Sequence, residues 1–216
     1  MHDERLSGQL SIIKPSDIER RSFEIIEKEL PHEIPEEVKP VVKRVIHTTA
    51  DFSYADTLCF SEGVMDIAHQ AIREGAAIVT DTNMGKAGIN VSRLAPYGNQ
   101  VYCFMSDEDV ALEAEKRGLT RAIVSMEKAA AMQKDGLIFA IGNAPTALVR
   151  LYELIKEGRI NPALIIGVPV GFVNVTESKE LIMQARVPYI VARGRKGGSN
   201  VAAAICNALV LSINKK

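Results

Sequence analysis

The chain has 216 residues, is 47% hydrophobic and 25% charged, and carries a formal net charge of -1 at pH 7. That length and apolar share suffice for the core of one α/β domain. The balanced charge leaves no basic field for a DNA or RNA partner. The start, Met1-His2-Asp3-Glu4-Arg5, is polar and leads into no long apolar run, so neither a secretory signal nor a membrane span is expected. The chain reads as cytoplasmic. Its three cysteines, Cys59, Cys103 and Cys206, are far apart and form no CxxC pair, which argues against a disulfide framework or a zinc knuckle. Cys103 and Cys206 sit in apolar surroundings and read as small core residues.

In chain order, residues 1–14 read as an N-terminal arm or edge strand. Pro15-Ser16-Asp17-Ile18-Glu19 then opens a helix, with Ser16 as N-cap and Glu19 completing a capping box. Ile18, Ile25, Ile26 and Leu30 form its apolar stripe; Arg20 points away from the stripe and Arg21 lies at its edge. Residues 31–40 hold three prolines and make a connector. Val38, Val41, Val42, Val45, Ile46 and Thr49 follow with i, i+3, i+4 spacing, a second helix. That period places His47 opposite the stripe, with Lys43 and Arg44 at i−4 and i−3. His47 therefore faces solvent, a cleft or a partner chain. A brief strand near Thr57-Leu58-Cys59-Phe60 precedes a helix from Ser61 to about Glu74, where Val64, Ile67, Ala68, Ala71 and Ile72 turn inward and His69 reads as structural.

From Gly75 onward strands alternate with helices. The strands are Ala76–Val79, Val101–Met105, Leu137–Ile141, Ala163–Ile166 and Tyr189–Ala192. The helices are residues 107–117, 120–134, about 145–157, 177–185 and 200–213. Short continuous apolar strands between helices predict a doubly wound, mostly parallel, Rossmann-like sheet with helices on both faces, in a single domain spanning residues 1–216.

Ligands bind such sheets beyond the carboxyl ends of the strands. Four loops lie there: Asp81–Lys86, Gly142–Thr146, Gly167–Phe172 and Arg193–Ser199. Glycines and helix N-termini suit an anion, and Arg193, Arg195 and Lys196 add positive charge. The plainer reading is that these residues only make βα turns, which explains each loop better than it explains all four. No GxGxxG, Walker or GxSxG pattern occurs, and no His/Asp/Glu cluster has metal-ligand spacing. His47 remains as the titratable group placed for chemistry, which points to proton transfer or isomerisation without cofactor or metal.

Gly142-Asn143-Ala144-Pro145-Thr146-Ala147, Gly167-Val168-Pro169-Val170-Gly171-Phe172-Val173, Glu177-Ser178-Lys179 and Arg193-Gly194-Arg195 with Gly197-Gly198-Ser199 resemble the precorrin-8X or cobalt-precorrin-8 methylmutase family of vitamin B12 biosynthesis. Arg20-Arg21-Ser22-Phe23 and Arg44-Val45-Ile46-His47 match its N-terminal motifs. The resemblance runs from about Ile18 to Ala208. It implies a cofactor-independent isomerase that moves a methyl group from C-11 to C-12 of a corrin precursor, acting as a cytoplasmic homodimer. It implies His47 as the catalytic residue and Arg21 and Arg44 as substrate contacts. Asn83, Met84, Asn143, Thr146, Arg193 and Arg195 are carried over by loop position. Thr48–Asp56 and Lys86–Tyr97 match less clearly, and Asp51 and Lys86 receive no role. Two other readings stand beside it: a nucleotide-dependent Rossmann-like enzyme, which the missing glycine fingerprint opposes, and a non-catalytic tetrapyrrole carrier using the same loops.

Overall fold

A computed structural model describes residues 14–132 and 135–213. The expected arm or strand at residues 1–14 lies almost wholly outside the described residues. The described chain builds a six-stranded sheet. Its strands are β1 (Leu58–Phe60), β2 (Ile78–Thr80), β3 (Val101–Tyr102), β4 (Ile138–Ile141), β5 (Leu164–Gly167) and β6 (Tyr189–Ala192). The spatial order is β1-β6-β5-β4-β2-β3. Every pairing is parallel except β1 with β6, where Cys59 sits opposite Val191. The mostly parallel sheet is as expected, with an antiparallel edge strand added. β2 has β3 on one side and β4 on the other, so the crossovers diverge there and open a crevice at the ends of β2 and β4.

The helices are α1 (Pro15–Glu29), α2 (Lys39–Thr49), α3 (Tyr54–Thr57), α4 (Val64–Arg73), α5 (Asn83–Gly88), α6 (Val91–Leu94), α7 (Glu108–Arg117), α8 (Arg121–Met132), α9 (Pro145–Lys156), α10 (Val175–Met183) and α11 (Ser199–Ser212). Alternate strand residues feed two cores. Ile138, Ala140, Leu164, Ile166, Ile190 and Ala192 face α2, α4 and α11. Phe139, Ile141, Ile165 and Val191 face α8, α9 and α10. All four residues of β4 are buried, which is why that strand reads as an unbroken apolar run rather than an alternating one. Helix α11 is buried nearly all round and lies along α2, so it forms the inner wall against which the His47 helix is set.

Several expectations are corrected. No capping box forms: α1 starts at Pro15 as N1, Lys14 is the N-cap without a side-chain bond, and Glu19 reaches another helix. Proline's fixed φ and missing N–H suit the first helical position, so the start needs no hydroxyl cap. Ile18 and Ile25 are not in the core, at 53% and 41% exposure; α1 buries only Ile26 and leans on the body through one edge. In α4, Ile67 faces out and Met65 takes the inner place, because the helix begins at Val64 after a left-handed Gly63 rather than at Ser61. The strand predicted over Val101–Met105 pairs only at Val101 and Tyr102, since β3 is the outer edge and the chain leaves it early. Cys206 is a core residue as expected, but Cys103 is only partly covered. His69 has the structural setting expected, with Nε2 2.8 Å from Ser212 Oγ.

Candidate active site

His47 stands in the last turn of α2, on the exposed side, as the periodicity requires. The core stripe Val41, Val42, Val45 and Ile46 fixes the rotation of the helix, because all four are buried. A left-handed Ala50 ends the helix, its N–H donating to the Ile46 carbonyl at 2.7 Å. The His47 ring stacks on Phe23 of α1, with centroids 5.1 Å apart and 16° between planes. The same Phe23 ring takes the Arg44 guanidinium at 4.7 Å and the Lys43 ammonium at 5.6 Å. One aromatic ring thus holds a histidine and two cations from three neighbouring positions of α2.

Arg44 donates to Glu19 Oε1 at 2.5 Å. This bond holds the Glu19 carboxyl below its usual range, and the charges of His47 and Arg93 act in the same direction. Glu19 therefore faces three basic side chains. Two grooves meet at Arg44. The larger, about 840 Å³, runs between α1, α2 and the end of α11. Its charges largely neutralise one another: Glu24 pairs with Arg20 and Glu27 with Lys43. The smaller, about 450 Å³, lies where Arg44 and Thr48 face Asn200, Ala203 and Asn207 of α11 and Asn90 and Arg93 beyond α5. Glu19 lines this groove as well, but Arg93 makes no ion pair among the described residues and stays open to an anion. An anion is better placed in this second groove, although the first is larger.

The strand-end loops share one edge of the sheet. Loops after β2, β4, β5 and β6 lie side by side, and three strand spacings separate the first from the last, about 14 Å. This is the width of a broad flat ligand rather than of a single phosphate. Phe172 and Val173, at 82% and 77% exposure, stand on the β5 loop. The Arg195 guanidinium lies 5.5 Å over the Phe172 ring. Lys196 Nζ reaches Asp51 Oδ2 at 2.6 Å and Ser53 Oγ at 2.9 Å, tying the β6 loop to the turn that follows α2.

The glycines here allow backbone to meet backbone. A Cβ on Gly197 would lie 2.1 Å from the Val168 carbonyl oxygen, and one on Gly142 would lie 2.6 Å from Ser199 Cα. The loops after β4, β5 and β6 are packed on one another through these positions.

One expectation about these loops is wrong. The backbone N–H groups of Gly142, Asn143 and Ala144 do not wait for a substrate anion. They donate to the carboxylate of Asp81, at 2.9, 2.8 and 2.6 Å. Asp81 is 1% exposed and sits at the β2/β4 crevice. Burial pushes its carboxyl up, and the three N–H groups pull it back. The place where related topologies hold a phosphate is filled by the protein's own carboxylate, which also accounts for the missing nucleotide fingerprint.

The structure brings His47 and Arg44 together and sets Asn83, Met84, Asn143 and Arg195 along the strand-end edge. Met84 and Asn143 are exposed there, and Asn83 donates to Ser106 Oγ at 2.7 Å. It does not bring the rest with them. Arg21 bonds Glu24 at 3.3 Å and is solvated, while Arg20 lines the larger groove. Arg21, at the edge of the α1 stripe, is solvated because that stripe is itself largely exposed. Thr146 is held by Thr120 Oγ1 at 3.0 Å, on the α8 side. Arg193 pairs with Glu180 at 3.0 Å, near Cys59 on the antiparallel edge. Reading the sequence missed Glu19, Phe23, Asp81, Arg93 and Lys179. Phe23 and Lys179 carried a signal, in Arg20-Arg21-Ser22-Phe23 and Glu177-Ser178-Lys179, and Asp81 opened one of the strand-end loops; Glu19 read only as a capping residue, and Arg93 carried none.

Among the described residues no group of three or more His, Cys, Asp or Glu could hold a metal, and no helix is long and apolar enough to cross a membrane. The family model described as precorrin-8X methylmutase matches residues 17–212. A cobalt-precorrin-8 methylmutase of Priestia megaterium is 46% identical over 198 residues, covering 91% of this chain and 88% of that protein. A precorrin-8X methylmutase of Pseudomonas aeruginosa is 42% identical over 178 residues, covering 82% of this chain and 85% of that one. A solved structure of a precorrin-8X methylmutase from Thermus thermophilus superposes with a TM-score of 0.85 at 39% identity, covering 92% of this chain and 98% of that one.

Proposed function

The chain belongs to the precorrin-8X methylmutase family, and from that membership we propose that His47 is the proton-handling residue of its methyl shift. The enzyme is an isomerase of cobalamin biosynthesis that moves a methyl group from C-11 to C-12 of precorrin-8X or cobalt-precorrin-8. The observation that carries the His47 role is its placement: an exposed imidazole, clamped flat on Phe23, beside Arg44 and the smaller groove.

The chemistry asks little else of the protein. The macrocycle carries many acetate and propionate carboxylates. Arg44, Arg93 and Arg195 would take these through charge-assisted hydrogen bonds, with Asn83 and Asn143 as neutral contacts along the edge and the exposed Met84 and Phe172 against the flat faces. His47, protonating or hydrogen-bonding the ring, would select the tautomer from which the methyl group migrates. Positioning and proton control suffice for an intramolecular shift. The same reading takes residues 1–216 as one methylmutase domain, working in the cytoplasm as a homodimer. Arg21, Thr146 and Arg193 stay in the proposal as peripheral contacts, which would exchange their present partners Glu24, Thr120 and Glu180 for substrate.

The test is incubation with metal-free and cobalt-containing substrate, read by absorbance and mass: isomerisation changes the spectrum at constant mass. His47→Ala is expected to stay folded and bind ligand while losing most methyl migration, roughly the hundredfold or more of a lost acid/base group. Near-normal turnover in that variant would overturn the role of His47. Return of the substrate unchanged by the wild type would favour the tetrapyrrole carrier instead.

A further inference from the structure

Lys179 belongs to α10, yet its side chain is fully buried. Lysine normally keeps its ammonium in water, so its burial calls for specific partners. The partners are two backbone carbonyls, Gly194 O at 2.7 Å and Lys196 O at 2.8 Å. No carboxylate pairs with it among the described residues, and burial alone lowers it from its ordinary value to about 8. A leucine or methionine would fill the same space at less cost, so the ammonium is there for the two carbonyls.

Those carbonyls flank Arg195. With both turned inward onto Nζ, the residue between them projects outward, and Arg195 is exposed with its guanidinium over Phe172. The next side chain, Lys196, bridges to Asp51 and Ser53 behind the His47 helix. The loop is also laced to its neighbour: Gly171 N–H donates to Arg195 O at 3.2 Å and Gly198 N–H to Val168 O at 2.9 Å. The buried ammonium is thus the inner fastening of a loop whose outer face meets the ligand edge.

We propose that Lys179 is a positioning residue for the methyl shift, fixing the Gly194–Lys196 backbone so that Arg195 meets a substrate carboxylate in register with His47, while Lys196 ties the loop to the turn after α2. The proposal rests on the reading of the strand-end edge as the substrate site. It goes beyond that reading by assigning the orientation of the cationic loop to one buried side chain that touches no substrate.

The experiment compares wild type, Lys179→Met, Lys179→Gln and Arg195→Ala, each first checked for fold by circular dichroism. KM, kcat and the Kd for the stable metal-free product, hydrogenobyrinate, are measured. Lys179→Met is expected to raise KM and product Kd by roughly ten- to a hundredfold, the range for a small misplacement of binding groups, with kcat at saturation nearly kept. Lys179→Gln, which keeps N–H donors without charge, is expected in between. A folded Lys179→Met with wild-type Kd overturns the proposal, because a purely structural lysine moves the melting temperature and not the binding. Should neither variant fold, the wild type decides through its ¹⁵Nζ resonance. Saturation with product is expected to shift it, and an unmoved resonance overturns the proposal. Arg195→Ala separates the two layers. An unchanged Kd there removes the loop from the substrate site, whereas weakened binding there with unchanged Lys179→Met refutes only the role of Lys179.

Discussion

Asp81→Asn is the most incisive perturbation, because it removes a charge and one acceptor while keeping the side-chain volume. In the wild type Oδ2 accepts from Asn143 and Ala144, and Oδ1 from Gly142. All three neighbours are donors, so the carboxyl serves as an acceptor on both oxygens. An asparagine can keep its amide oxygen at the Oδ2 position. Its NH₂ then meets the Gly142 N–H donor to donor, in a site closed to bulk solvent at 1% exposure. One buried N–H is orphaned, at about 1–3 kcal/mol. The two remaining bonds change from a charged to a neutral acceptor, at about 1 kcal/mol each. The gross loss is about 3–5 kcal/mol, and no longer burying a charge, the largest influence on this carboxyl, offsets part of it. For a chain of this length, melting should fall, by at most roughly 20 °C. Urea unfolding at pH 7, read by circular dichroism, measures the loss directly. A deficit under about 1 kcal/mol would refute the idea that Asp81 is the internal anion of the crevice.

Other outcomes follow from single contacts. Arg44→Ala should weaken product binding by about 1.5–3 kcal/mol, the value of one charged hydrogen bond, with less effect on kcat; an unchanged Kd in calorimetry would count against the carboxylate anchor. Gly197→Ala should cost more than about 3 kcal/mol or prevent folding, since its Cβ would lie 2.1 Å from the Val168 carbonyl and backbone cannot yield as a side chain can; soluble, wild-type-like protein would contradict the packing of the two loops. Glu127 is held below the ordinary carboxylate range first by Arg117 and also by Arg150. Its unfolded-state pKa is the higher one, so the unfolded chain takes up the proton first. The contribution is complete above the ordinary glutamate value of 4.5 and fades as pH falls through the folded-state pKa. The urea midpoints of wild type and Glu127→Gln should therefore differ at pH 7 and converge on acidification, and a gap that stays constant would exclude this linkage.

The α/β architecture was legible wherever burial is two-sided or strictly periodic. β4 and β5 read as unbroken apolar runs because both faces are covered. α2 was placed almost to the residue because Val41, Val42, Val45 and Ile46 turn to the same core. α1 misled because a helix with one buried residue is held by partners distant in sequence, Glu19 with Arg44 and Phe23 with His47, and no local period records those contacts. Helices α5 and α6 went unread for a similar reason. Each is a turn or two long, capped by Thr82 and Asn90 and held against α11 by Asn207.

The amino-acid order alone determined that His47 faces away from the core with Arg44 beside it, since helical geometry fixes the relative direction of residues three apart. It also determined that glycine-rich loops end the parallel strands. The meaning of those loops was decided only in three dimensions. Whether a backbone N–H is free for a ligand depends on what the rest of the chain has already brought to it. Asp81 lies 61 residues from the first of its three partners, and Lys179 lies 15 and 17 residues from its two. No spacing rule links such positions. Tertiary packing fills the β2/β4 crevice from within and leaves Arg93 and Arg195 exposed and Arg44 half-buried, the side chains on which the proposed substrate site rests.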